Sequence, residues 1–220
     1  MPRPDLVLLD LDGTLVDSAP DLSDSVNHAL NALGLPKRSE AQVRNWIGGG
    51  AERLVKRALT GGSDEEPEVQ LFAAVFERFS AFYLQHVSRR SRLYPGVREG
   101  LDYLARSGRT IGCVTNKRGR YTEPLLRALG IDRHFAIVVS GDTLPRKKPD
   151  PLPLLHAVQE LHMTRAQGMM IGDSVSDVKA ARAAGLPVVC VRYGYSGGRD
   201  VAELGPDSVI DSLAELAELI

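Results

Sequence analysis

The chain has 220 residues, 43% of them hydrophobic, and a formal net charge of −1. This length suffices for one large domain or for a domain with an insertion, and the near-neutral charge excludes a general attraction to nucleic acid or anionic membranes. No apolar run approaches the roughly 20 residues that span a bilayer. Cys113 and Cys190 lie in apolar strand-like runs, which favours buried free thiols over a disulfide or a metal pair. Residues 1–4 lead directly into a strand, unlike a signal peptide, so we expect a cytoplasmic protein.

The first predicted strand ends in two carboxylates. Residues 6–9 form a short apolar run, typical of a buried strand in a parallel sheet, and Asp10 and Asp12 follow it. Side chains two positions apart along a strand point the same way, so both carboxylates can face one site. Two carboxylates so close together require a cation or a proton between them. Taken alone, an Asp-Gly turn at a polar strand end is the simpler interpretation.

The segment that follows predicts helices and no strand. Apolar residues recur at helical spacing in four stretches, and three glycines at 48–50 separate the second stretch from the third. A polar loop at 61–67 precedes the longest helix, which is predicted over about 68–86 with an apolar face that includes Val69 and Leu84. We interpret this segment as an all-helical block inserted after the first strand.

From Val97 onward the pattern alternates between helix and strand. The strand-like runs lie at 110–116, 135–140, 168–173, 187–192 and 208–210. Such alternation predicts right-handed crossovers and a doubly wound, parallel, Rossmann-like sheet. We therefore expect an α/β core at residues 1–17 and 90–220, with an inserted all-helical cap domain at residues 18–89.

Polar residues recur at the predicted carboxyl ends of the strands, which meet at one edge of a parallel sheet. They are Asp10, Asp12, Thr115, Asn116, Lys147, Lys148, Asp173 and Asp177. Singly, a Thr-Asn pair is more often a helix cap and a Lys-Lys-Pro run a solvated loop. Together on one edge of the sheet these residues favour a binding or catalytic site. Carboxylates suit a hard cation such as Mg²⁺. A hydroxyl, backbone amides and a lysine suit a phosphoryl group. A carboxylate can also act as the nucleophile in phosphoryl transfer.

Four motifs in this chain resemble those of the haloacid dehalogenase superfamily, in the same order. They are Asp10-Leu-Asp12-Gly-Thr-Leu-Val-Asp17-Ser, Thr115-Asn116, Lys148-Pro149 and Gly172-Asp173-Ser-x-x-Asp177. The resemblance covers essentially the whole chain, and the helical insertion resembles that superfamily's cap of the first type. Residues 141–145, 148–155 and 193–195 are most similar to bacterial phosphoglycolate phosphatases within the superfamily. The resemblance implies a Mg²⁺-dependent phosphomonoester hydrolase that converts 2-phosphoglycolate to glycolate and phosphate.

The resemblance implies catalytic roles for the matching residues. Asp10 would attack phosphorus and carry an aspartyl-phosphate. Asp12 would protonate the leaving alkoxide and then take a proton from the hydrolytic water. Thr115 and the backbone of Asn116 would hold the phosphoryl group, and Lys148 would offset its charge. Since dehalogenases lack an aspartate at the position of Asp12, its presence favours a phosphatase or a phosphomutase.

The resemblance also implies a Mg²⁺ site. Its ligands would be Asp10, the backbone carbonyl of Asp12, and Asp173. Asp177 would contact the ion or its bound water. Lys147 is the alternative to Lys148 as the lysine that offsets the phosphoryl charge. Only Lys148 directly precedes a proline, as in the family pattern.

The helical block is expected to supply substrate specificity. Gly49 and Gly50 are candidate substrate-binding residues, because glycine lets backbone amides approach an anion and the N-terminus of a helix follows. A plain turn between two helices is the alternative, and Arg53 and Arg57 either meet a substrate carboxylate or are exposed.

Other functions stay open at this point. A phosphatase for another sugar or nucleotide monophosphate, or a β-phosphoglucomutase-like phosphomutase, would use the same motifs. A binding module without activity would predict a broken motif, and the catalytic positions are intact. We expect a small phosphorylated metabolite as partner, neither nucleic acid nor membrane, and a monomer or homodimer.

Overall fold

The computed structural model describes residues 3–63 and 65–220. The expectations for residues 1 and 2, and for residue 64 in the polar loop, lie outside the described residues. The strands are β1 (Leu6–Leu9), β2 (Val16–Asp17), β3 (Arg92–Leu93), β4 (Thr110–Val114), β5 (Ile137–Val139), β6 (Gly168–Gly172), β7 (Val188–Val191) and β8 (Ser208–Ile210). The helices are α1 (Ala19–Asn31), α2 (Glu40–Trp46), α3 (Ala51–Thr60), α4 (Val69–His86), α5 (Val97–Arg106), α6 (Gly119–Ala128), α7 (Leu152–Glu160), α8 (Val175–Ala184) and α9 (Leu216–Leu219).

Strand β1 lies inside a six-stranded sheet with the order β5-β4-β1-β6-β7-β8, in which every neighbouring pair is parallel. The chain adds β4 and β5 on one side of β1 and then returns to add the remaining strands on the other side. In such sheets a crevice opens beyond the carboxyl ends of the strands where the direction of winding reverses. The predicted doubly wound fold is therefore confirmed, and β1 ends at this crevice.

Alternate residues of β1 face two apolar layers. Val7 and Leu9 belong to a layer that continues through α5 and α6 into the helices of the inserted segment. Leu6 and Leu8 belong to a second layer, formed with α7 and α8. Because both faces of β1 are covered, its sequence is a continuous apolar run rather than an alternating one.

The inserted segment is helical, as predicted. Helices α1 to α4 lie between β2 and β3, two short antiparallel strands at which the chain leaves and re-enters the α/β core. No strand occurs among the described residues from 18 to 88. The bounds proposed for a cap domain, 18–89, stay a prediction.

Helix α4 differs from its predicted apolar face at two positions. Phe79 and Tyr83 are buried, whereas Val69 is 78% exposed and Leu84 is 47% exposed. Val69 is the first residue of the helix, beyond its packed part. Leu84 lies about 100° around the helix axis from the buried Tyr83, so the same packing that buries one turns the other outward. The prediction was wrong for Val69 and Leu84.

Both cysteines are free and buried, Cys113 in β4 and Cys190 in β7, which confirms the interpretation as buried thiols. Burial raises the pKa of the Cys190 thiol to about 12, so this thiol stays protonated. Among the described residues, no helix combines the length and the apolar character needed to cross a membrane.

Candidate active site

Asp10 occupies the first position beyond β1. Its backbone N–H donates a 3.0 Å hydrogen bond to the carbonyl of Ile171 in β6, so the sheet ladder extends one residue past the strand. The chain then turns at Gly13, where φ is +91°. A Cβ at this position would collide with the carboxylate of Asp173. Only glycine therefore fits this turn, which directly follows Asp12.

Three carboxylates meet at the carboxyl edge of the sheet. One oxygen from each of Asp10, Asp173 and Asp177 lies within 4.8 Å of the others, and all three side chains are buried. Asp10 follows β1, Asp173 follows β6, and Asp177 lies in the first turn of α8. Residues that are distant in sequence converge here because parallel strands end at one edge.

These carboxylates outnumber the cation that faces them. Lys148 Nζ lies 2.9 Å from Asp10 Oδ1 and 2.7 Å from Asp177 Oδ1, and one ammonium cannot neutralise three carboxylates. Burial raises the pKa of Asp10 to about 7 against the opposing charge of Lys148. Burial, with the charge of Asp177, also raises the pKa of Asp173 well above its ordinary value. Excess negative charge on buried oxygens fits a hard divalent cation such as Mg²⁺.

Both oxygens of Asp177 already have protein partners. Oδ1 accepts a 2.7 Å hydrogen bond from Lys148, and Oδ2 accepts bonds of 3.0 Å and 2.6 Å from the backbone N–H and the hydroxyl of Ser174. In contrast, Asp10 Oδ1 is buried and accepts no hydrogen bond from the described residues, although Lys148 lies near it. Asp10 is thus better placed than Asp177 to contact an ion, and Asp177 is placed to position Lys148.

Asp12 has its own partners, away from the carboxylate cluster. Its Oδ1 and Oδ2 accept hydrogen bonds of 3.0 Å and 3.1 Å from Lys117 Nζ, and Oδ1 accepts a 2.6 Å bond from Ser18 Oγ. The same ammonium donates a 2.6 Å bond to the hydroxyl of Tyr83 on α4. Burial opposes the charge of Lys117, but Asp12 and Tyr83 together outweigh this effect, so the pKa of Lys117 is raised and the side chain stays a cation.

Sequence reasoning missed Lys117 and Tyr83. Lys117 directly follows the predicted Thr115-Asn116 pair, and this third polar residue after a strand was the available signal. Tyr83 lies within the helix predicted over about 68–86, for which the sequence indicates only an apolar face. Nothing local shows that a residue of α4 reaches the lysine after β4, since they are 34 positions apart.

Thr115 and Asn116 directly follow β4, at the strand end where the sequence places them, and their role in holding a phosphoryl group stays a prediction. Thr115 Oγ1 accepts a 3.1 Å hydrogen bond from the backbone N–H of Lys117. Asn116 Nδ2 donates 2.9 Å bonds to the carbonyls of Gly48 and Lys148, and Asn116 Oδ1 is buried without a partner among the described residues. The asparagine side chain therefore joins the inserted segment to the α/β core.

The glycine loop at 48–50 contacts the core through carbonyl groups, whereas the sequence suggested amides. Gly49 O accepts a 2.9 Å hydrogen bond from Lys147 Nζ. Gly48 O likewise accepts one from Asn116 Nδ2 of the α/β core. A Cβ on Gly50 would lie 3.0 Å from the carbonyl of Asn116, so the loop sits tightly against the core. Of the two adjacent lysines, Lys147 faces this loop and the second faces Asp10.

A cavity lies between the carboxyl edge of the sheet and the inserted helices. Of the predicted site residues it is lined by Asp10, Asp12, Thr115, Asn116 and Gly50. Gly49 and Lys148 line neighbouring cavities at its rim. The nucleophile candidate and the acid–base candidate thus face one enclosed space.

Tyr195 connects the carboxylate cluster with the end of β2, where the chain first leaves the α/β core. Its backbone N–H donates a 2.6 Å bond to Asp173 Oδ2, and its hydroxyl donates a 2.6 Å bond to Asp17 Oδ1. The hydroxyl also accepts a 2.9 Å bond from the N–H of Ser18. The sequence associated residues 193–195 with a family, but only the fold assigns this contact.

Comparison with known proteins matches this architecture. The sequence profile of the family described as haloacid dehalogenase-like hydrolase matches residues 7–191. A phosphoglycolate phosphatase of Nitrosococcus oceani is 52% identical over 218 residues, which cover 99% of this chain and 97% of that protein. One of Thiobacillus denitrificans is 47% identical over 97% of this chain and 94% of its own length.

A solved structure gives the same result. The crystal structure of a protein from Haemophilus somnus, described as a predicted phosphoglycolate phosphatase, superposes with a TM-score of 0.93 at 36% identity. The alignment covers 100% of this chain and 99% of that one. The likeness therefore extends over the sheet, the inserted helices and the cavity between them.

Proposed function

The chain belongs to the family of haloacid dehalogenase-like hydrolases, and we propose that it hydrolyses 2-phosphoglycolate to glycolate and phosphate in a Mg²⁺-dependent reaction. One observation carries the proposal: the buried carboxylate of Asp10, paired with Lys148, shares a cavity with a second acid, Asp12. Family and relatives agree on the class of reaction, hydrolysis of a phosphoric monoester. The choice of 2-phosphoglycolate is supported by the names of the relatives.

In the first proposed step, a carboxylate oxygen of Asp10 attacks phosphorus and the bond from phosphorus to the ester oxygen breaks. Asp12, in its protonated form, gives its proton to the departing alkoxide, which leaves as glycolate. The product on the enzyme is an aspartyl-phosphate on Asp10. Lys148, held by Asp177, stays beside the nucleophile and offsets the negative charge that gathers there.

In the second proposed step, water attacks the phosphorus of the aspartyl-phosphate. Asp12, now a carboxylate, accepts a proton from this water, and its protonated form is restored for the next cycle. The bond between phosphorus and the Asp10 oxygen breaks, so phosphate leaves and the nucleophile is regenerated. Thr115 and Asn116, which line the same cavity, are the proposed holders of the phosphoryl group in both steps.

The proposed ion site comprises Asp10, the backbone carbonyl of Asp12, and Asp173. A Mg²⁺ ion bound there would screen the charge on the phosphoryl oxygens. Thr14 Oγ1 donates a 2.6 Å hydrogen bond to Asp173 Oδ1, and the N–H of Tyr195 donates to its other oxygen. These donors hold the carboxylate in place before any ion arrives.

Two further proposals concern the binding partner and the cellular location of the protein. A small phosphorylated metabolite is the proposed partner, since the cavity between core and inserted helices is enclosed by both. A cytoplasmic location is proposed on the two buried free thiols, which suit a reducing compartment.

The test is phosphate release by the purified protein with Mg²⁺, comparing 2-phosphoglycolate with a panel of sugar and nucleotide monophosphates. We expect kcat/KM for 2-phosphoglycolate to exceed the others by about tenfold or more, the range over which pocket contacts discriminate. Asp10→Asn, which lacks the nucleophile, should release nothing from any ester. A flat profile, or a maximum on a sugar phosphate, would overturn the substrate. Dependence on a sugar bisphosphate would support the phosphomutase instead.

A further inference from the structure

Lys117 carries a buried positive charge at the boundary between the two parts of the molecule. Its side chain is 4% exposed, and its ammonium bridges Asp12 of the core and Tyr83 of α4. Among the described residues that line the cavity, Lys117 is the only cationic side chain. The lysine beside the nucleophile, Lys148, is not part of this lining. Within this lining the positive charge therefore belongs to Lys117, in addition to the charge of Lys148 beside Asp10.

The position of Lys117 relative to the reacting bond follows from Asp12. In the proposed reaction Asp12 gives its proton to the ester oxygen, so its carboxylate must contact that oxygen. Lys117 Nζ lies only 3.0 Å from Asp12 Oδ1. A group attached to the ester oxygen through one carbon atom can then reach the ammonium. In 2-phosphoglycolate that group is a carboxylate.

A second polar group in the cavity supports an anionic occupant. Tyr121 is fully buried, and its hydroxyl has no hydrogen-bond partner among the described residues. Tyr121 lines the same cavity and its ring lies 5.0 Å from that of Tyr83. A buried hydroxyl without a partner costs free energy unless a ligand supplies one. The rest of the wall near these residues is apolar, with Leu22 and Leu54.

We propose that Lys117 determines substrate specificity by binding the carboxylate on the leaving group of the substrate, with the hydroxyl of Tyr121 as a second donor. This inference rests on the proposed function. In the free protein Asp12 is the ion-pair partner of Lys117. When the substrate enters, its carboxylate also accepts a hydrogen bond from the Lys117 ammonium. A short anionic leaving group pairs with the Lys117 ammonium, whereas a neutral leaving group provides no negative charge for it.

The experiment compares two esters with the same two-carbon chain, 2-phosphoglycolate, which ends in a carboxylate, and 2-hydroxyethyl phosphate, which ends in a neutral hydroxymethyl group. The wild type should prefer the first by about 100-fold in kcat/KM, as expected for a buried charge pair. Lys117→Met should bring the ratio of the two kcat/KM values close to one. Effects of the substitution that act through Asp12 fall on both esters and cancel in this ratio. Lys37→Met, at an exposed lysine of the inserted segment, is the matched control and should keep the wild-type ratio.

Each outcome is decisive. A wild type without preference for 2-phosphoglycolate would refute the proposed function itself. A wild type with the preference, beside a Lys117→Met variant that keeps it or loses both activities in parallel, would overturn the role of Lys117 and leave the function intact. If Lys117→Met does not fold, Tyr121→Phe decides, because it removes only the unpartnered hydroxyl. For Tyr121→Phe we expect the ratio of kcat/KM for 2-phosphoglycolate to kcat/KM for 2-hydroxyethyl phosphate to be about tenfold below that of the wild type. An unchanged ratio overturns the inference.

Discussion

Lys148 Nζ donates a 2.7 Å hydrogen bond to Asp177 Oδ1, and the two side chains are almost wholly buried, at 1% and 0% exposure. The lysine reaches Asp10, the proposed nucleophile, from this anchored position. Asp177 thus acts on the site through the lysine, whereas Asp173 accepts its hydrogen bonds from two neutral donors, Thr14 Oγ1 and the backbone N–H of Tyr195. The two aspartates should therefore respond differently to the same substitution.

Asp177→Asn should lower kcat by about 10- to 100-fold, the usual effect of losing an outer hydrogen-bond partner, and leave the Mg²⁺ concentration for half-maximal activity within about threefold. Asp173→Asn should instead raise that Mg²⁺ concentration by about tenfold or more, because one negative ligand is lost. Steady-state rates across a Mg²⁺ titration measure both quantities. A large rise in the Mg²⁺ requirement of Asp177→Asn would assign that residue to the ion.

Asp12→Ala should reduce turnover of 2-phosphoglycolate by about 10²- to 10⁴-fold, the range for a positioned acid–base group. Lys117 and Ser18 both bond to this carboxylate, so the variant must also be shown to fold, by its thermal unfolding curve. Asp211→Ala, at an exposed aspartate paired with Arg192, is the control and should keep wild-type rates. Near-normal turnover in Asp12→Ala would contradict the acid–base role.

Gly50→Ala should impair activity more than stability. Its Cβ would lie 3.0 Å from the carbonyl of Asn116 and 3.2 Å from Lys147 Nζ, which pushes the glycine loop away from the core. We expect kcat/KM to fall by about tenfold, since small displacements of groups that close a site are costly. Gly61→Ala is a control for a Cβ at positive φ without a contact: Gly61 lies in the left-handed helical region, at φ +71° and ψ 21°, whereas Gly50 has ψ 169°, and the Cβ at position 61 would meet nothing within 4 Å. Equal activity of the two variants would show that the loop contact is unimportant.

Mg²⁺ affinity should rise with pH. In the metal-free protein the pKa of Asp10 is raised from 3.8 to about 7, so the folded state holds this proton more tightly than the unfolded state does. The resulting stabilisation is complete below about pH 4 and is lost as the pH rises through 7. Because the ion binds the deprotonated carboxylate, the titration of this group should lower the Mg²⁺ dissociation constant about fivefold from pH 6 to pH 7, with little further change above pH 8.

Isothermal titration calorimetry of the metal-free protein with Mg²⁺ at several pH values measures this dependence. Asp10→Asn lacks one of the two proposed ligands with a raised pKa, so the pH dependence that remains in this variant belongs to Asp173. Thermal unfolding gives a second check, since Mg²⁺ should raise the melting temperature more at pH 8 than at pH 6. A Mg²⁺ affinity that is independent of pH between 6 and 7 would contradict the raised pKa of Asp10.

Local patterns were enough to predict the order of elements and the edge of the sheet that carries the site. The apolar run before Asp10 and the alternation after Val97 depend on residues that are close in sequence, and strand and helix periodicities are local properties. Parallel strands that end at one edge then bring Asp173 to Asp10 whatever the details of packing. The motif order and the α/β class therefore follow from the sequence.

The sequence by itself thus determined the doubly wound core, the helical insertion and the residue types at the site. The resemblance favoured Lys148 over the adjacent Lys147 because a proline follows it, and only the tertiary structure showed that Lys148 faces Asp10 and Lys147 a glycine carbonyl. It also brought Tyr83 from an apolar helix face to Lys117, and exposed Leu84 beside it. Such choices depend on which distant surfaces meet. Neighbouring residues share their local sequence context but point in different directions, so packing across the core assigns their partners.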